Sequence, residues 1–249
     1  MTVLVAVKCV DGIIVGADGV ATSSNGFDPT MQTASSSKIQ IIAGKVIIAG
    51  TGEVGLAQRF QQVVEGAWSS KHFQKNCLDC ATVVAGETVK NFQSSMVPLQ
   101  RGSGYGFAAL MAGPFNRVND LVEFGITNFQ PERKVHPLHF VSAGSGQMLA
   151  DPFLAFVNRI IWRDQMPSLV HGKLGVLWAL RHAIQLAPGG VGDPIQMATL
   201  TDSGGQPEAK MVDQEELQQF EQHVAALEIK ITGAVSDLFN APAPPPPSN

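Results

Sequence analysis

The sequence predicts an α+β fold in which two β-sheets lie face to face between outer layers of helix. Strand-like and helix-like stretches come in runs: strands then two helices, strands then two helices, then a strand and a last helix. A parallel α/β chain would alternate strictly instead. The opening stretch from Thr2 to Val10 is apolar at successive positions, so both of its faces are expected to be covered. Each helical stretch carries one apolar stripe and therefore one face to bury.

Taken in order, residues 2 to 18 read as a hairpin, with Asp11-Gly12 as a type I′ turn signal and Ile13 to Ala17 as the return strand. Residues 21 to 37 are rich in Ser, Thr, Asn and Gly and are expected to form a loop. Ile39 to Ile42 and Val46 to Ala49 form a second strand pair turned by Ala43-Gly44-Lys45. Gly50-Thr51-Gly52 then leads into a helix with apolar positions Leu56, Phe60, Val63, Val64 and Ala67. Cys77 to Phe92 gives a weaker helical pattern interrupted by Gly86.

Tyr105 to Ala112 and Leu121 to Ile126 read as strands around a Gly113-Pro114-Phe115-Asn116 turn, and His139 to Ala143 as a short strand entering Gly144-Ser145-Gly146. Helical stripes follow at Leu149, Phe153, Phe156, Val157, Ile160 and Ile161, and at Leu174, Leu177, Leu180 and Ile184. Ile195 to Leu200 is a strand and Gln214 to Ile231 a helix. Beyond Phe239 the run Ala241-Pro242-Ala243-Pro244-Pro245-Pro246-Pro247 can pack as neither, so residues 241–249 are expected to be a disordered tail behind a domain spanning 1–240.

With 249 residues, 45% hydrophobic and 15% charged, the chain can bury a sizeable core. Its formal charge of −4 and the absence of any basic cluster beyond Arg133-Lys134 argue against nucleic acid or an anionic membrane as partner. No apolar run reaches the roughly 18 residues a spanning helix needs, and Lys8 interrupts the first apolar run, so no secretory signal is read. Three cysteines fit a reducing compartment, and the cytoplasm is the expected location. Cys77-Leu78-Asp79-Cys80 has no second pair, the six histidines show no ligand spacing, and Gly102-Ser103-Gly104-Tyr105-Gly106 lacks the context of a phosphate loop. Neither a metal nor a cofactor is expected.

Thr2 stands on the first residue of the opening strand. Removal of Met1, which a small second residue favours, would make its hydroxyl and a free α-amine neighbours. An amino-terminal threonine of this kind acts as nucleophile with its own amine as general base. The plain alternative is an ordinary start followed by an edge strand.

Thr2, Asp18 in Val15-Gly16-Ala17-Asp18, Lys38 in Ser37-Lys38-Ile39, and Ala49-Gly50 stand at the spacing seen in proteasome β-subunits and their HslV-type relatives. The sequence resembles that family, most of all a bacterial proteasome homologue, and the match runs through Gly144-Ser145-Gly146 to cover residues 2 to 235. The resemblance implies a four-layer αββα N-terminal-nucleophile hydrolase sandwich. It also implies homo-oligomeric rings of six or seven subunits, stacked in pairs around a chamber, that cleave polypeptide substrates. No Walker motif is present, so an unfoldase or regulator would be a separate protein.

Carried over residue by residue, Thr2 is the nucleophile, Lys38 the cation beside it, and Asp18 the partner that holds Lys38. Gly50 offers the oxyanion donor, and Ser145 bonds near the nucleophile's amine or caps the following helix. Thr22 and Gly50 would supply backbone to the substrate channel, with Ala21, Gln40 and Ile48 near the pocket for the residue before the cleaved bond. That lining is uncharged, which implies a neutral or apolar preference. One departure stands out: the loop Leu186 to Asp193 has no clear counterpart of the Asp and Ser that many β-subunits carry there.

Strand register sets a condition on this assignment. A strict two-residue Asp11-Gly12 loop pairs Val5 with Asp18 and puts Asp18 on the face opposite Thr2. A bulge, a longer turn or a strand end displaced from the ladder must bring it round. Two other readings stay open: an inactive ring-forming scaffold subunit, and a small-molecule amidase of the same superfamily.

Overall fold

The computed structural model describes residues 2–24, 29–33, 37–95, 106–187 and 190–240. The chain divides into one unit running through Val212 and a second from Asp213. The proline-rich stretch 241–249, Pro188-Gly189 and the glycine-rich residues 102–105 lie outside the described residues.

In the first unit, one sheet contains β1 (Leu4–Lys8), β2 (Ile13–Ala17), β10 (Phe140–Ala143), β11 (Gln196–Ser203) and β12 (Gln206–Met211), in the order β10-β1-β2-β11-β12. A second sheet runs β5-β6-β7-β8-β9, from β5 (Ile39–Ile42), β6 (Val46–Gly52), β7 (Phe107–Phe115), β8 (Val118–Phe124) and β9 (Pro131–Arg133). All of their pairings are antiparallel.

The two sheets meet through a shared core that includes Leu4, Ala6, Val15 and Leu200 from one and Ile47, Ala49, Leu110 and Leu121 from the other. The opposite face of the second sheet is covered by α1 (Val54–Ser69) and α2 (Cys77–Ser95), around Phe60, Phe92, Phe107, Phe124 and Phe129. Their rings pack edge-on, tilted or stacked at centroid separations between 5.1 and 5.9 Å. Each fully buried phenylalanine contributes about 1.5–3 kcal/mol. Along β7, Leu110 and Ala112 enter the inter-sheet core while Phe107, Ala109 and Met111 face the helices, the alternation of a strand covered on both sides.

The first sheet is covered by α3 (Gln147–Ile160) and α4 (Leu169–Leu186). At Gly16 of β2 a Cβ would stand 2.6 Å from Val176 and 2.8 Å from Leu180, so glycine lets α4 lie directly on the strand. This is the four-layer αββα arrangement.

Several expectations are corrected. The hairpin at 9–12 is a four-residue connection: Lys8 pairs with Ile13, and the Cys9 N–H donates to the Gly12 carbonyl at 2.8 Å. Residues 21 to 37, expected as loop, contain a two-stranded hairpin of β3 (Ala21–Ser24) and β4 (Pro29–Thr33). Serine and threonine tolerate strand geometry when a neighbouring strand supplies the ladder. The turn expected at Gly113-Pro114 lies later, because β7 runs to Phe115 and the chain reverses at Asn116 and Arg117, both at positive φ. β9 and β12 were not anticipated; they are polar edge strands without an apolar signal.

The second unit holds α5 (Gln214–Asn240), which continues well past the Ile231 end read from the sequence.

Candidate active site

Thr2 lies two residues before β1, and its backbone is clasped by the turn before α3. The Thr2 N–H donates to Ser145 Oγ at 3.1 Å, Ser145 Oγ donates to the Thr2 carbonyl at 3.4 Å, and the Gly146 N–H donates to that same carbonyl at 3.1 Å. Gly144 has φ +94°, and a Cβ there would fall 2.3 Å from the Thr2 carbonyl oxygen. Only glycine allows both the conformation and the approach. The capping role considered for Ser145 is not observed: the N-cap of α3 is Gly146, with no side-chain cap bond. The turn is braced by Asp151, which accepts from buried Ser142 Oγ at 2.5 Å and from Gln147 Nε2 at 3.0 Å.

Asp18 is fully buried and follows the end of β2. Its Oδ1 accepts from the Val3 N–H at 2.9 Å and from Lys38 Nζ at 2.5 Å. Its Oδ2 accepts from the N–H groups of Val20 at 3.2 Å and Gly192 at 3.3 Å. A buried carboxylate is tolerated when donors occupy both oxygens in this way.

The register condition is met at the strand end. Shifting the hairpin from Val5↔Asp18 to Val5↔Gly16 moves the pairing by two residues, which leaves the face of Asp18 unchanged. The ladder instead ends at Ala17, and beyond it the Asp18 carboxylate folds back on the Val3 amide and reaches Lys38.

Lys38 stands one residue before β5, with its backbone N–H donating to Gln196 Oε1 at 3.3 Å and its side chain 7% exposed. Burial pushes its ammonium below the usual lysine range, and the hydrogen bond and charge of Asp18 oppose that shift.

Gly50 lies where β5 has stopped pairing: the β5–β6 ladder ends at Ile39↔Ala49, so Gly50 has a strand partner only in Ala109 of β7. A Cβ at Gly50 would stand 2.7 Å from the Phe107 ring.

Thr2, Lys38 and Gly50 line one cleft of about 310 Å³ together with Ala21, Gln40 and Ile48. Further wall residues were missed from sequence, among them Phe60 and the flanking Val54, Ala57, Gln58 and Gln61 of α1, and Phe107 of β7. Val54, Ala57, Gln58 and Gln61 recur at i, i+3, i+4 and i+7, a second helical face beside the buried one of Leu56, Phe60 and Val64. That spacing was the available signal. Lys38 is the one charged residue in the wall among the described residues. Thr22 lies in β3 opposite Gln32.

The loop expected to lack its Asp and Ser reaches Asp18 through its backbone. Besides the Gly192 N–H on Asp18, the Gly192 carbonyl accepts from the Gly19 N–H at 2.8 Å, and Asp193 pairs with Arg181 at 2.7 Å.

Residues 2–156 match the family described as proteasome subunit. The chain belongs to that family. Its fold is shared with many solved structures. An Anbu (Gly-1) mutant from Hyphomicrobium sp. strain MC1 is 14% identical, with a TM-score of 0.70 over 95% of this chain and 97% of that one. The helical assembly of the Anbu complex from Pseudomonas aeruginosa is 14% identical, with a TM-score of 0.65 over 99% and 100%. Anbu, an ancestral β-subunit, from Yersinia bercovieri is 11% identical, with a TM-score of 0.66 over 98% and 100%. No curated protein matches the chain.

Proposed function

We propose that the chain, over residues 1–240, is a threonine-type endopeptidase subunit of a self-compartmentalising assembly. Thr2 becomes the nucleophile after Met1 is removed. The observation that carries this reading is the Asp18 carboxylate, which joins the backbone beside Thr2 to the Lys38 ammonium through a single oxygen.

Once freed, the α-amine of Thr2 would keep its neighbour Ser145 Oγ, and an amine of this kind titrates near 7.7–8.0 when unperturbed. A nearby Lys38 cation favours its neutral form. The amine takes the proton of the Thr2 hydroxyl as Oγ1 attacks the scissile carbonyl carbon, giving a tetrahedral oxyanion within reach of the Gly50 N–H. It then passes that proton to the leaving amine, the C–N bond breaks, and an ester links the acyl group to Thr2. Water, deprotonated by the same amine, attacks the ester; the C–O bond to Thr2 breaks, the amine returns that proton to Oγ1, and the acid is released.

Membership of the proteasome subunit family supports subunit assembly, and a relative of this fold forms a helical one. In this reading the subunits form rings of six or seven, stacked in pairs in the cytoplasm, and unfolded polypeptides are the substrates. The test is hydrolysis of fluorogenic peptides carrying a neutral residue before the reporter. Turnover by the parent protein and its loss in Thr2→Ala are expected; turnover equal in both would overturn the assignment.

A further inference from the structure

Residues 190–194, between α4 and β11, pack closely against the residues that follow β2. A Cβ at Gly19 would stand 2.3 Å from the Pro194 carbonyl oxygen, and one at Gly192 would stand 3.0 Å from Val20 Cγ2. Gly192 bonds to this stretch on both sides: its N–H donates to Asp18 Oδ2 at 3.3 Å, and its carbonyl accepts from the Gly19 N–H at 2.8 Å. One residue further on, both Asp193 carboxylate oxygens accept from Arg181 Nη1, at 2.7 and 2.9 Å. Arg181 belongs to α4, the helix that lies on β1 and β2, so the loop is tied to the same scaffold that carries Thr2 and Asp18.

We infer that Arg181 and Asp193 are positioning residues for the Thr2 site, fixing Gly192 so that the Asp18 carboxylate is held at the angle its contacts with Val3 and Lys38 require. The inference rests on the peptidase reading. The Arg181–Asp193 pair sits near the surface, with 27% and 57% of the two side chains exposed. An ion pair at that exposure adds little to overall stability. What it supplies is the place of the loop. A carboxylate is planar and rigid, so whatever holds Oδ2 also orients Oδ1, the oxygen that serves the Val3 N–H and Lys38 Nζ. With the loop released, Oδ2 keeps the Val20 N–H at 3.2 Å as its donor among the described residues, and the group can turn. Neither Arg181 nor Asp193 is among the residues that line the cleft, so the pair acts through the loop and not on the substrate.

Steady-state kinetics on a short fluorogenic peptide, with particle mass followed by sedimentation velocity, tests it in Arg181→Gln, Asp193→Ala, their double variant and Arg181→Lys. Each single loss is expected to lower kcat about 5–30-fold at near-parental KM and parental particle mass, within the ~10²-fold that a misplacement of about 1 Å can cost. The double variant is expected to lose no more than either single one, because both break the same contact. Arg181→Lys should recover most of the rate, since one nitrogen serves both carboxylate oxygens and an ammonium can do the same. Lys90→Gln, which breaks an exposed pair with Glu87 on α2, should stay parental. Losses that add in the double variant, a raised KM at unchanged kcat, no recovery in Arg181→Lys, or a smaller particle in either single variant would each overturn the proposal. A parent that cleaves no peptide overturns the peptidase reading and this inference with it; an active parent matched by Arg181→Gln and Asp193→Ala overturns this inference alone.

Discussion

The Asp18 carboxylate and the Lys38 ammonium meet at 2.5 Å, with 0% and 7% of their side chains exposed. Burial of the lysine disfavours its charged form, and Asp18 partly offsets that cost. Lys38→Met is expected to leave Asp18 with backbone donors but no cation, and to lower kcat/KM by about 10²–10⁴-fold, the usual scale for loss of acid–base support. Steady-state kinetics on a short peptide measures it; a loss under about threefold would separate Lys38 from catalysis.

The direction of the Lys38 shift also sets a pH dependence. A lysine whose pKa is lower folded than unfolded makes the unfolded state bind more protons between the two values, so stability rises with pH through that window. The folded state is thus penalised below the lowered pKa, and the penalty is relieved as pH approaches 10.5. Chemical unfolding midpoints across that range should rise with pH in the parent more than in Lys38→Met. For activity, an alkaline limb set by loss of the Lys38 proton should fall below pH 10.5.

Ser145 holds both ends of the Thr2 peptide unit, accepting from its N–H at 3.1 Å and donating to its carbonyl at 3.4 Å. Ser145→Ala is expected to lower kcat about tenfold, which corresponds to about 1.4 kcal/mol for the lost bonds. KM should stay near parental, because Ser145 is not among the residues that line the cleft. A raised KM at unchanged kcat would assign Ser145 to substrate binding.

Two glycines should fail for different reasons. Gly144→Ala combines a positive φ of +94° with a 2.3 Å clash against the Thr2 carbonyl, both backbone constraints. A loss of at least about 1–3 kcal/mol is expected, with no simple second-site rescue. Gly50→Ala clashes with the Phe107 ring at 2.7 Å, a side chain that can be shortened. Gly50→Ala/Phe107→Leu should therefore lose less stability than the two single losses added, which thermal unfolding of the four-member cycle measures.

The lining of the cleft includes Gln40 and Ile48, and Lys38 is its one charge among the described residues. Gln40→Glu is expected to raise the rate on substrates with Lys or Arg before the cleaved bond relative to Leu. Profiling parent and variant on one peptide library reads the ratio.

Much of this was legible in the sequence where periodicity and spacing carry a physical cause. The β1–β2 hairpin with both faces apolar, the Gly-Thr-Gly stretch before α1, and the Gly144-Ser145-Gly146 turn all rest on local rules; each was found in the expected stretch, although the hairpin connection is longer and β6 runs on through Gly52. Other features depend on contacts between distant segments, to which local rules are blind. The β3–β4 hairpin forms from serine and threonine because each strand gives the other its ladder. Val54, Ala57, Gln58 and Gln61 become cleft wall only because α1 lies beside β5 and β6. Asp18 reaches Lys38 because the chain leaves the sheet at Ala17, and strand alternation stops applying there.

The central claim is that Thr2 works with its own free amine. The most direct measurement is the intact mass of the purified protein before and after exposure to a peptide epoxyketone, whose stable adduct needs both the hydroxyl and the α-amine of an amino-terminal threonine. The account predicts a mass lacking Met1 that gains one inhibitor, with no gain in Thr2→Ala. A mass that retains Met1 and gains nothing would contradict it.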